Sequence, residues 1–169
     1  LLLGESAAHK AVARLAELDL LRFLHSAVAW SSKLDGLLQA IDEVLAWYRL
    51  ASLHWPGHAA QPGSTVECPR AAIEPWLVRF MALVDALPDA AVREVLQRLC
   101  LSRRHRDTVY AARAACHAIP RLATRPPLQP AETYRLLVGQ RLEVILFMLA
   151  KTSSEVAKQQ IVAYLATYR

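Results

Sequence analysis

Long apolar runs, cysteine pairs and the motifs of catalytic sites are all missing from this 169-residue chain. No uninterrupted apolar run approaches the roughly 18 residues that a membrane-spanning helix needs, so we expect no membrane segment. The three cysteines, Cys68, Cys100 and Cys116, are widely spaced and form no C-x-x-C pair. This spacing argues against a disulfide framework or a structural zinc site, and it favours a reducing, cytoplasmic location.

Catalytic signatures are absent in the same way. The chain has no G-x-x-x-x-G-K-[ST] loop, no G-x-G-x-x-G, no G-x-S-x-G and no H-E-x-x-H. The acidic pair Asp42-Glu43 occupies consecutive helix positions, which point in different directions. His54-x-x-x-His58, with Cys68 downstream, lies in a stretch rich in proline and glycine and has no evident fourth ligand. We therefore predict neither a catalytic residue nor a metal site in this chain.

The first residues, Leu1-Leu-Leu-Gly4, include no initiator methionine, and no basic segment precedes the leucines as in a signal peptide. We expect the chain to be a piece of a longer protein, with the active site of that protein outside this piece.

Apolar residues at helical spacing fill most of the chain, and no segment alternates like a strand. Apolar residues make up 54% and charged residues 21% of the chain, enough to build a core. Four prolines within residues 120–130 exclude a regular helix there, and residues 54–69 are predicted to be a loop.

The fold class predicted is all-α, an irregular bundle of about eight helices in a single domain, residues 1–169. A helical solenoid is a minor alternative, because no fixed repeat period is present. Helices are predicted over residues 7–24, 32–48, 77–87, 92–99, 103–119, 131–138, 141–151 and from 152 onward.

The strongest concentration of charge lies between residues 98 and 125, where seven arginines accompany one acid, Asp107. Arginines in the first turn of a helix oppose its dipole, which favours anions there by roughly 0.3–1 kcal/mol. Such a turn, with its free N–H groups, suits a phosphate, and a nearby tyrosine can stack on a base. The same arginines suit carboxylates on neighbouring helices equally well, so both interpretations stay open. The candidate nucleic-acid-binding residues are Arg103, Arg104, Arg106, Tyr110, Arg113 and His117.

Several segments occur in an order that resembles a known family. They are Leu20-Leu-Arg-Phe-Leu-His25, Glu132-Thr-Tyr-Arg-Leu-Leu137, Leu142-Glu-Val-Ile-Leu-Phe-Met-Leu-Ala-Lys-Thr152 and Tyr164-Leu-Ala-Thr-Tyr-Arg169. In this order they resemble the C-terminal helical body of bacterial CCA-adding tRNA nucleotidyltransferases and their poly(A) polymerase relatives.

The resemblance implies an RNA-binding domain that does no catalysis itself and holds the acceptor and TΨC arms of tRNA, or another RNA 3′ end. In this family a separate head domain carries paired aspartates and adds the nucleotides. The longer protein is then expected to use Mg²⁺ with ATP, and CTP where it adds CMP. The fragment itself is expected to bind no cofactor. Neither the aspartate pair nor the nucleotide-selecting element of the family is found here.

Two other functions are compatible with the residues. One is a helical protein-interaction module whose arginine face meets an acidic partner, which would show as acidic side chains covering the Arg103 face. The other is a DNA-binding helix-turn-helix with its turn at residues 99–102, although that turn contains no glycine.

Overall fold

A computed structural model of the chain describes residues 2–5, 8–52 and 73–168. Every regular element in these ranges is helical, which confirms the predicted all-α class. None of the described helices is long and apolar enough to cross a bilayer. The described residues form eight α-helices of eight residues or more and one helix of a single turn. In chain order they are α1 (Ala8–Glu17), α2 (Ser32–Ala51), α3 (Pro75–Asp85), α4 (Asp89–Arg98), α5 (Arg103–Ala115), the single-turn α6 (Ile119–Leu122), α7 (Pro130–Leu137), α8 (Leu142–Lys151) and α9 (Glu155–Tyr168).

Helix α8 lies at the centre of the core. Its residues 143–149 are all buried, and α2, α3, α5 and α9 pack around it. A helix that is apolar on all sides is stable only when other elements enclose it. Helix α2 contributes the predicted stripe, of which Leu34, Leu38, Ile41 and Leu45 are buried.

A buried polar bridge joins the three helices α6, α7 and α9. The Thr133 hydroxyl donates to Gln160 Oε1 at 2.8 Å, and Gln160 Nε2 donates to the Leu122 carbonyl at 2.8 Å. Satisfied hydrogen bonds of this kind fix the relative position of elements, because an unpaired partner would carry the cost of its desolvation.

A buried arginine fastens the N-terminal segment to α2 and α3. The Arg79 side chain is only 3% exposed; its Nε donates to Asp42 Oδ1 and its Nη1 to the Leu3 carbonyl, each at 2.7 Å. The other Asp42 oxygen lies 2.9 Å from His9 Nδ1 on α1. Asp42 is therefore a structural carboxylate.

The prediction of one helix over residues 7–24 is wrong, because α1 ends at Glu17. Asp19 adopts the left-handed conformation, with φ of 56°, and the Leu20 N–H donates back to the Leu15 carbonyl at 2.8 Å. This is the helix-ending motif usually made by glycine. Cys100, with φ of 50°, closes α4 in the same way. Neither position has the glycine from which a helix end would have been predicted.

Two further boundaries differ from the prediction. Pro120 lies in the first turn of α6, where a missing N–H is tolerated, so residues 119–122 are helical. The last helix begins at Glu155, and the Ser154 hydroxyl, not that of Thr152, accepts from the Ala157 N–H, at 3.4 Å. The predicted loop at residues 54–69, including His54, His58 and Cys68, lies outside the described residues.

Candidate nucleic-acid interface

Helix α5 presents the predicted basic residues because its opposite face is buried. Thr108, Val109, Ala112 and Ala115 face the core, where α5 packs against α8 and α3. The Ser102 hydroxyl accepts from the His105 N–H at 3.3 Å and so starts the helix. The buried face leaves the arginines of the first two turns at the surface.

Arg103, Arg106 and Tyr110 form the outward stripe of α5. The Arg103 side chain is 89% exposed, and its Nε lies 3.7 Å from Asp107 Oδ2 one turn on. An exposed pair at this spacing contributes about 0.3–0.5 kcal/mol, so it restrains Arg103 weakly. Arg106 has no ion pair and the Tyr110 hydroxyl no hydrogen bond with any described residue.

Arg104 lies beside a carboxylate that is already engaged. Glu74 accepts from Trp76 Nε1 at 3.0 Å, and its Oε2 lies 3.0 Å from His105 Nε2. The Trp76 and His105 rings meet edge to face, with centroids 5.0 Å apart. Arg104 Nη2 is 3.8 Å from Glu74 Oε1 and keeps an exposed side chain. Glu74 therefore anchors the start of α5 and leaves Arg104 open to solvent.

Arg113 differs from the other arginines, because its donors are used within the protein. Its Nη1 donates to the carbonyls of Val84 and Asp85 at 3.1 and 3.2 Å. Its Nη2 donates to the Leu87 carbonyl and to Asp89 Oδ1, both at 2.9 Å. These acceptors lie at the end of α3 and the start of α4, so Arg113 closes the α3–α4 turn.

Apart from Arg113, the predicted residues are spread along the surface of α5 and the turn that follows it. His117 is exposed on the 3-10 turn that follows α5 and has no partner among the described residues. Fourteen residues of helix separate it from Arg103, roughly 21 Å at 1.5 Å per residue. The structure brings Arg103, Arg106 and Tyr110 together, places Arg104 at one side, and directs Arg113 inward.

Seven exposed arginines outside the predicted set also form no ion pair with an acid among the described residues. The only signal for them in the sequence is the general density of arginine, since their exposure depends on how the helices pack. They are Arg49, Arg93, Arg98, Arg121, Arg125, Arg135 and Arg141.

The described residues contain no cluster of metal-ligand side chains and one thiol whose pKa is shifted. No three His, Cys, Asp or Glu side chains converge as metal ligands within residues 2–5, 8–52 and 73–168. Burial raises the pKa of the Cys116 thiol above its ordinary value, an effect that the nearby Lys151 ammonium opposes. A thiol with a raised pKa is a poor nucleophile at neutral pH.

The chain resembles known proteins along its entire length. It is 27% identical to an A-adding tRNA nucleotidyltransferase of Geobacter sulfurreducens, with 100% of this chain and 18% of that protein covered. No protein-family model matches. The resemblance to the tRNA nucleotidyltransferases is thereby confirmed. A CCA-adding enzyme with CTP has the same fold over 97% of this chain and 34% of its own, with a TM-score of 0.70 and 16% identity.

A third relative is the Thermotoga maritima CCA-adding enzyme complexed with tRNA, with a TM-score of 0.68 and 16% identity. The match covers 96% of this chain and 35% of the Thermotoga one. The chain therefore spans about a third of these solved relatives, and less of the Geobacter protein.

Proposed function

We propose that this chain is an RNA-binding region of a tRNA nucleotidyltransferase, and that it holds the tRNA acceptor and TΨC arms while another domain adds nucleotides. The observation that carries the proposal is the outward stripe of α5, where Arg103 and Arg106 meet no acid from any other described element. The alternative, a protein-interaction module, predicts that acidic side chains cover this face. The similarity to an A-adding enzyme, and to a CCA-adding enzyme complexed with tRNA, supports RNA as the ligand.

The first turn of α5 has the features of a phosphate site. The His105 N–H is capped by Ser102, whereas the N–H groups of Arg103 and Arg104 have no acceptor among the described residues. The two open N–H groups form the positive end of the helix dipole, the two arginine side chains add positive charge beside it, and a bound phosphate would relieve the repulsion between them. Tyr110, two turns on, offers a ring to a ribose or base.

Catalysis is proposed to reside in the remainder of the longer protein. Mg²⁺ in such enzymes requires carboxylates that converge, and none do so within the described residues. In this proposal the head domain of the same protein holds Mg²⁺ with ATP, and CTP where CMP is added. The described chain positions the RNA.

Charge reversal on α5 tests the proposal. Binding of the 169-residue chain to tRNA should weaken as salt rises from about 50 to 200 mM, because bound phosphates release counterions. Arg103→Glu with Arg106→Glu should weaken binding at least tenfold and reduce the salt slope by roughly 1 for each lost phosphate contact.

A matched control changes the charge by the same amount elsewhere. Lys10→Glu with Lys33→Glu alters exposed cations on α1 and α2, and we expect this pair to bind within about threefold of the unmodified chain, since distant exposed charges are screened. Equal losses in the two pairs would refute a localised interface, and absence of tRNA binding at low salt would refute the function. Tight binding of an acidic protein in place of tRNA would support the interaction-module alternative.

A further inference from the structure

A cluster of three tyrosines lies where α7 packs on α9. The Tyr134 ring is 4.9 Å from that of Tyr168 and 6.1 Å from that of Tyr164, measured between centroids. Tyr164 and Tyr168 are 5.6 Å apart, one turn along α9. Tyr164 is 3% exposed, whereas Tyr134 and Tyr168 are 38% and 50% exposed. The cluster therefore has one buried ring beneath two rings that face solvent.

The rings are held on a rigid base. The Thr133 hydroxyl, next to Tyr134 in the chain, is bonded to Gln160 on α9, one turn before Tyr164. Gln160 in turn holds the carbonyl that ends α6. A tyrosine ring has few rotatable bonds, so a pair fixed in this way loses little conformational freedom when it binds a ligand.

The elements that adjoin the cluster carry exposed arginines. Four exposed arginines on α6, α7 and the adjoining turns have no acidic partner among the described residues; they are Arg121, Arg125, Arg135 and Arg141. The acid on this part of α7 is Glu132, and its carboxylate accepts from the Gln129 N–H at 3.2 Å. Helices α6 and α7 both pack on α9, which carries Tyr164 and Tyr168.

We infer that Tyr134 and Tyr168 form a stacking platform for an unpaired RNA base, with the surrounding arginines binding the adjacent phosphates. The two hydroxyls have no hydrogen-bond partner among the described residues and remain available to base edges or ribose. Exposed aromatic rings within cationic surface are the usual means of binding single-stranded nucleic acid. The inference rests on the proposed RNA-binding function and adds that the nucleotide recognised is an unpaired one.

The test compares two RNAs: a blunt hairpin duplex, and the same duplex with a short unpaired 3′ extension. The unmodified chain should bind the extended RNA more tightly. Tyr134→Ala and Tyr168→Ala should each lower that affinity about tenfold, equivalent to roughly 1.4 kcal/mol, and leave blunt-duplex binding unchanged. Tyr134→Phe and Tyr168→Phe keep the ring and should retain most of the affinity.

A matched control and a measurement on the unmodified chain complete the test. Phe23→Ala removes a ring that is 59% exposed on a different element, and it should bind both RNAs normally. In addition, 5-iodouracil in the extension should crosslink on irradiation to Tyr134 or Tyr168, mapped by peptide mass spectrometry. Equal affinity for both RNAs, equal losses on both, or crosslinks only elsewhere would overturn the inference. If neither RNA binds, the proposed function fails together with it.

Discussion

Replacing Arg113 by methionine should destabilise the fold without weakening RNA binding. Methionine keeps much of the apolar stem and removes the guanidinium. Three carbonyls at the end of α3, those of Val84, Asp85 and Leu87, then lose their charged donor, and Asp89 loses its ion pair.

The size of the effect follows from the surroundings of each bond. The Asp89 side chain is 82% exposed, so its ion pair with Arg113 contributes about 0–1 kcal/mol to the free energy of unfolding. Hydrogen bonds to charged groups contribute about 1.5–3 kcal/mol each but are not additive at one side chain, and water replaces some of them. We therefore expect a loss of roughly 2–3 kcal/mol in the free energy of unfolding. For a domain of this size that lowers the melting temperature by about 4–12 °C.

The assay pairs thermal unfolding, followed by circular dichroism, with tRNA binding at several salt concentrations below the melting transition. The control is Arg98→Met, an exposed arginine with no partner among the described residues, which should stay within about 0.5 kcal/mol of the unmodified chain. The structural assignment of Arg113 would be refuted if Arg113→Met melted normally and bound tRNA with a reduced salt slope.

Two further predictions concern buried groups: one is a substitution and the other a chemical modification. Asp42→Asn leaves the Arg79 guanidinium buried without its carboxylate, so urea unfolding should show a loss of about 3–5 kcal/mol, and a loss below about 1 kcal/mol would contradict the pairing. Because burial raises the pKa of the Cys116 thiol, less thiolate is present at any given pH, and iodoacetamide should alkylate exposed Cys100 faster than Cys116. Peptide mass spectrometry gives the two rates; faster reaction at Cys116 would contradict its burial.

The helices could be predicted where their apolar stripes were long. The apolar stripe from Leu34 to Tyr48 predicted α2, and the apolar block from Val144 to Ala150 predicted the buried centre of α8. A continuous apolar face needs no knowledge of its partner, because any arrangement that buries it favours the helix.

Helix ends were less predictable than helix faces. Asp19 and Cys100 take up left-handed conformations without the glycine that marks them, and Pro120 begins a helical turn in a segment expected to have none. Such ends depend on contacts that the flanking residues make after packing, and these contacts override local preference.

The sequence alone determined the fold class, the family resemblance and the location of the basic helix, since each depends on residue spacing along one element. Only the tertiary structure decided which arginines face outward: Arg103 is exposed, whereas Arg113, ten residues further along the same helix, binds the α3–α4 turn. It alone also joined Tyr134 to Tyr168 from helices that are distant in the chain. The physical reason is that periodicity fixes the face of a helix, whereas the neighbour on that face is set by contacts between distant segments.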